Sequence, residues 1–162
     1  MSSRHFCNFI AIFNGAVVAK KKSFVFPLRK IRVLRLLDYL TEIGLIHGYN
    51  AEELERRRQN LHLRNIPLGK KGGPYYVPVT VFLKDGNPIR YIKTASKPGR
   101  CWGVPAHQMR HYLKNHGPHA HLVFSSDELR GFCSAEKLYA RGLGGLYICA
   151  VHLNSNGGSL FT

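Results

Sequence analysis

The sequence predicts an α+β chain. Apolar residues recur at helical spacing in two stretches near its start and alternate with a period of two in several later stretches. The 162 residues suit one domain or two small lobes, and a hydrophobic content of 44% is enough for a core and excludes wholesale disorder.

The elements follow in order. Phe6, Ile10 and Phe13, with Phe9 and Ile12 beside them, predict a helix over 4–14 that Asn14-Gly15 closes. Ser23-Phe-Val-Phe26 alternates as a short strand. Pro27 stands where a helix would begin, and Val33, Leu36, Leu37, Leu40 and Ile43 form that helix's apolar stripe before Gly44 ends it. Asn50-Ala-Glu-Glu53 has the pattern of a capping box and opens a short charged helix, ELERRRQNLHLRN, followed by a loop, GKKGGP. Two alternating runs around Lys84-Asp85-Gly86-Asn87 predict a β-hairpin, and Pro78 puts its first run at an edge or a bulge. A turn at Lys97-Pro98-Gly99-Arg100 and a helix from Pro105 to Asn115, ended by Gly117, come next. His121 to Phe124 reads as strand, Ser125 to Gly131 as a polar loop, Ser134 to Ala140 as helix and Leu146 to His152 as the last strand.

Charge is the strongest functional signal. The chain has 24 Lys and Arg against 9 Asp and Glu, a formal net charge of +15. A compact domain with that excess repels itself unless an anion accompanies it, and the commonest such anion is nucleic acid. Clusters at Lys20, Lys21 and Lys22, over 29–35 with Arg29, Lys30 and Arg32, at 56–58, at 70–71, and over 97–100 with Lys97 and Arg100 supply phosphate contacts. Loops with small hydroxyl residues and glycines, Ser96 to Gly99 and Ser125, Ser126, Arg130 and Gly131, suit close approach to a sugar-phosphate surface, where a serine can meet a 2′-OH. Neither a recognition-helix signature nor an aromatic pair of the single-strand-binding type is legible, so the expected target is folded RNA read by shape.

Other chemistries find less support. Gly142, Gly144 and Gly145 precede the last strand, whereas a dinucleotide loop runs from strand to G-x-G-x-x-G to helix; no cofactor is expected. His107 and His111 stand one helical turn apart but lack the glutamate of a zincin motif, and no metal is expected. Ser125 and Ser126 have no nucleophile elbow around them, and no catalytic residue is assigned. Cys7, Cys101, Cys133 and Cys149 stand far apart, which points to free thiols. No apolar run approaches the roughly 18 residues that span a bilayer, and neither a membrane nor a small-molecule substrate is an expected partner.

Five stretches in one order resemble the bacterial-type small-subunit ribosomal protein S-eight family. They are Ile12-Phe-Asn14-Gly15; Phe24-Val-Phe-Pro27 with the helix closing at Glu42-Ile-Gly44-Leu-Ile46; Tyr91-Ile-Lys93-Thr-Ala-Ser96-Lys-Pro-Gly99; Val123-Phe-Ser-Ser126 with Arg130-Gly131; and Gly142-Leu-Gly144-Gly145 before a cysteine-containing strand. The resemblance implies an N-terminal α/β lobe, helix-strand-helix plus hairpin, over 1–95, with a charged insertion at about 50–74. That lobe would pack on a mainly β lobe with short helices over 96–152, followed by a flexible tail over 153–162. It further implies binding of the central domain of small-subunit rRNA beside neighbouring ribosomal proteins, with Asn14, Ser96 to Gly99, Ser125, Ser126, Gly131, Gly144 and Gly145 as contacts. The chain departs from the family at Phe13 and Leu146, which replace an arginine and a glutamate, and at Asp127-Glu128-Leu129, which lengthen the serine loop. Such drift with added segments implies an organellar member, in the mitochondrial ribosome. The alternatives are a metal-dependent enzyme using the histidines near 107–121 and a free-standing RNA chaperone.

Overall fold

A computed structural model describes residues 4–61, 77–94, 102–115 and 119–154. The helices are α1 (Arg4–Val18), α2 (Arg32–Glu42), α3 (Glu52–Leu61), α4 (Met109–Asn115) and α5 (Ala135–Ala140). The strands are β1 (Ser23–Leu28), β2 (Ile46–Asn50), β3 (Val77–Leu83), β4 (Ile89–Thr94), β5 (Trp102–Val104), β6 (Ala120–Ser126), β7 (Gly131–Ser134) and β8 (Gly145–Leu153). With helices, antiparallel sheets and a mostly β C-terminal region, the fold is α+β. Two compact units emerge, one of Lys20–Asp85 and one of Met1–Ala19 with Gly86–Thr162; the expected boundary near 95 falls inside the second.

In the unit Lys20–Asp85 the three strands run antiparallel in the order β1-β3-β2. Alternation in β1 buries Phe24, Phe26 and Leu28 and leaves Ser23 and Val25 outside. Pro27 does not start a helix. It continues β1, opposite Pro78 of β3, and an edge strand tolerates its missing donor. The α2 helix begins at Arg32 instead and buries Val33, Leu34, Leu36, Leu37 and Leu40, most of the expected stripe. Ile43 is its half-buried C-cap, and Gly44, at φ 82°, turns the chain into β2, a strand that follows too closely on the helix to be expected from periodicity.

β3 buries Val77, Val79, Val81 and Leu83 and is the central strand, not the edge that Pro78 suggested. The proline is tolerated because the β2 register stops at Thr80, short of it. The expected hairpin between β3 and β4 does not form. Both edges of β3 are occupied, by β1 and β2, so the chain turns at Gly86 (φ 63°) and β4 pairs with β8.

In the second unit β4-β8-β6-β7 form an antiparallel sheet, and β5 also pairs with β8. Tyr147 to Val151 of β8 are all buried, as expected of a strand covered on both faces. α1 packs on β4 through a stripe of Phe6, Phe9, Ile10, Phe13 and Ala16. It does not stop at Asn14-Gly15. The Asn14 amide donates to the Ile92 carbonyl and accepts from the Ile92 N–H, both at 2.8 Å, so it serves β4 and caps nothing. The helix runs on to Val18, and Lys20, at φ 55°, takes the left-handed position beyond its end.

The segment from Pro105 opens with a 3-10 turn over Ala106–Gln108 before α4; Gly117, its expected end, lies outside the described residues. Gly131–Ser134 is strand, where only a loop and a helix start had been expected, and it forms a hairpin with β6 around residues 127–130. The Ser134 hydroxyl caps α5 by accepting the Lys137 N–H at 3.1 Å. Tyr112 sets its edge against Phe124 and Tyr147, which stack on each other at 5.3 Å in the core. The last strand extends to Leu153, and Asn154 donates to the Asn87 carbonyl; the rest of the expected tail lies outside the described residues. Cys7, Cys133 and Cys149 are free thiols, and burial pushes Cys149 up to about 12. Among the described residues no helix is long and apolar enough to cross a membrane.

Candidate nucleic-acid interface

The basic clusters of the unit Lys20–Asp85 bracket one strand. Lys20, Lys21 and Lys22 lead into β1, and Arg29, Lys30 and Arg32 follow it, all exposed. Six residues of strand separate the two groups by roughly 20 Å. Lys20, Lys21, Lys22, Lys30 and Arg32 make no ion pair among the described residues, whereas Arg56 is matched by Glu53 one turn away on α3. The adjacent lysines therefore repel one another with no carboxylate against them among the described residues.

A groove in the same unit has a different character. It is lined by residues of α2, β2 and α3, where Arg35 and Arg56 alternate with Asp38, Glu52, Glu53 and Glu55. The Tyr49 hydroxyl donates to Asp38 Oδ1 at 2.6 Å, and burial together with that carboxylate pushes its pKa up to about 12. Four carboxylates against two guanidiniums make this groove net negative, which repels a polyanion.

In the second unit several sequence-chosen residues prove to be occupied by the fold itself. Asn14 is half-buried and holds both backbone groups of Ile92. Ser126 is 3% exposed; its hydroxyl donates to Glu128 Oε2 at 3.2 Å and accepts from the Leu129 N–H at 3.3 Å, closing the turn after β6. Ser125 is half-buried, and Arg130 stands exposed at φ 54°, next to the exposed Gly131. Gly144 and Gly145 are close-approach residues. A Cβ on Gly144 would lie 2.5 Å from the Val104 carbonyl oxygen, and one on Gly145 would lie 2.9 Å from both the Ser125 carbonyl oxygen and Leu138 Cδ1. Two chain segments meet there too tightly for any side chain. These glycines, Ser125 and the turn residues Asp127 and Glu128 line a shallow groove with the exposed Leu146. The structure thus brings the serine loop and the glycine pair together, as a backbone surface. Ser96, Lys97, Gly99 and Arg100 lie outside the described residues.

His107 is exposed in the 3-10 turn, and His111, exposed on α4, lies 2.8 Å from the Asn115 amide nitrogen. His121 is buried in β6, and burial lowers its pKa to about 4. Among the described residues no three His, Cys, Asp or Glu side chains are gathered as a metal site would need.

Two aromatic features were not among the sequence-chosen sites. Tyr91 of β4 stacks on His152 of β8 with centroids 4.3 Å apart, and the Arg90 guanidinium lies 5.9 Å from the Tyr91 ring centre. Phe82 of β3 stands 42% exposed on the outer face of its sheet. The alternation of β3 already sets Phe82 opposite to Val79 and Val81, but Tyr91 and His152 meet only through the β4–β8 register, which no local pattern encodes. No family model matches the chain, and no curated protein matches it.

Proposed function

We propose that the protein is a non-catalytic constituent of the small ribosomal subunit, in the mitochondrion, that binds and organises the central domain of the small-subunit rRNA. The observation that carries this reading is the exposed Lys20, Lys21, Lys22, Lys30 and Arg32 around β1, which make no ion pair among the described residues, in a chain with a formal charge of +15. The ordered resemblance of five stretches to the S-eight family supports the same reading and supplies the ribosomal part of it. Lys20 to Lys22, Arg29, Lys30 and Arg32 meet phosphates and fix the protein on the RNA without reading sequence. In the second unit Arg130 and the turn backbone make the contact, since the Ser126 hydroxyl is engaged within the turn. Gly144 and Gly145 act by holding that surface in shape, while Asn14 ties α1 to β4.

Sedimentation of the tagged full chain from fractionated mitochondria tests the reading. The expected result is co-migration with small subunits that survives high salt and is abolished by ribonuclease. Migration at the top of the gradient in high salt would favour a free-standing chaperone. Stoichiometric zinc in the purified protein, lost in His107→Ala, would favour a metal-dependent enzyme.

A further inference from the structure

The paired residues on the outer face of the β1-β3-β2 sheet include no Lys, Arg, Asp or Glu, in a chain whose formal net charge is +15. Three cross-strand rows form this face, one of them the half-buried Pro27 opposite the exposed Pro78. Phe82 lies between Ser23 on one side and Gly48 on the other, and Thr80 lies between Val25 and Asn50. Phe82 is 42% exposed and Val25 58%, while their neighbours along each strand are buried. Both flanks of the phenyl ring are therefore small. A Cβ built on Gly48 would meet nothing within 4 Å, and its φ of +148° is one that L side chains rarely adopt, so the space beside the ring stays open. An accessible ring with low neighbours on a sheet is the geometry that a stacking base requires.

Charge complements this surface at both ends of β1. Lys21 and Lys22 begin directly before the Ser23–Phe82–Gly48 row, and Lys30 follows the far end of the strand. A backbone laid along β1 would meet cations where it enters and leaves, with uncharged surface between them for its bases. A protein partner fits less well. A standard interface needs about 800 Å² per side, whereas three strands about 4.8 Å apart and about six residues long present a face of roughly 300 Å² even with Val25, Phe82, Pro27 and Pro78 on it.

We propose that this face binds an unpaired stretch of RNA, one base stacked on Phe82 and its phosphates held by Lys21, Lys22 and Lys30. The ligand class rests on the RNA-binding reading above, but the mode differs from shape recognition of folded RNA.

The test measures binding of the full chain to a short fluorescent oligoadenylate and to a blunt RNA duplex of the same length, by anisotropy. Phe82→Ala and Phe82→Leu should each weaken oligoadenylate binding about tenfold and leave duplex binding within about twofold, and Phe82→Tyr should restore it. Lys21→Ala with Lys22→Ala should weaken both ligands. Unchanged oligoadenylate binding in Phe82→Ala overturns the proposal. So does full binding in Phe82→Leu, which would mark an apolar contact that needs no ring. Wild-type protein that binds duplex but not oligoadenylate sinks this proposal and leaves the RNA-binding reading standing; binding of neither sinks both.

Discussion

His121 shows how one side chain ties stability to pH. It is 3% exposed in β6, and burial disfavours its charged form, lowering the pKa from an ordinary 6.5 to about 4. Between these values the unfolded chain binds a proton that the folded chain refuses. The contribution of neutral His121 is thus complete above pH 6.5 and is lost as the pH falls toward 4. At pH 5 the loss amounts to about 2 kcal/mol. Urea unfolding should show a lower midpoint at pH 5 than at pH 7, and His121→Gln should flatten that difference even though the variant is less stable overall. An undiminished difference in the variant would assign the effect to other groups. Ser126 and Gly145 carry a related lesson. Each has the residue type an RNA contact needs, yet the hydroxyl of one closes a turn and the bareness of the other admits a carbonyl oxygen 2.9 Å from where a Cβ would stand. Residue type alone does not separate the two roles; only the packing does.

Among the elements, the union of α1 and β4 rests on Asn14. β4 is an edge strand, and the Asn14 amide satisfies the N–H and C=O of Ile92 from the adjoining helix. An unprotected edge invites pairing with other chains, so this side chain also shields the sheet. Asn14→Leu should destabilise the fold by about 2–3 kcal/mol, because it strands both backbone groups at once. Hydrogen exchange should accelerate first at Ile92 and in α1; uniform acceleration across the chain would contradict a local latch. The same element shows what the sequence discloses. Asn14-Gly15 has the composition of a helix stop, and the partner that overrules it lies 78 residues away. α2 and α5 were legible because their information is local, in the spacing of Val33, Leu36, Leu37 and Leu40 and in the Ser134 cap. The β3–β4 hairpin that local alternation predicts does not form because pairing depends on which edges other strands have already filled. β7 was missed because four residues, Gly-Phe-Cys-Ser, are too few to show a period. As for the candidate site, the cationic clusters could be read from composition, whereas the openness of the Phe82 ring depends on Ser23 and Gly48 meeting it from two other strands.

At the scale of the whole molecule the surplus of positive charge sets the behaviour in solution. If the chain neutralises roughly six to ten phosphates, the logarithm of its affinity for RNA should fall with the logarithm of salt concentration at a slope of several units. Replacing Lys20, Lys21 and Lys22 together by alanine should reduce that slope by about 2–3, measured by filter binding across a salt series. A flat response in the parent protein would remove the electrostatic basis of the proposed function. The division of the chain has a consequence for its biosynthesis. Residues 20–85 are contiguous and can close as soon as they leave the ribosome that makes them. α1, translated earlier, must wait for Ile92, 78 residues behind Asn14, which at ordinary elongation rates is a delay of roughly 4–16 s. For that interval Phe6, Phe9, Ile10 and Phe13 form a sticky nascent segment with no strand to cover it, and the earliest part of this pattern to be synthesised is among the last to find shelter.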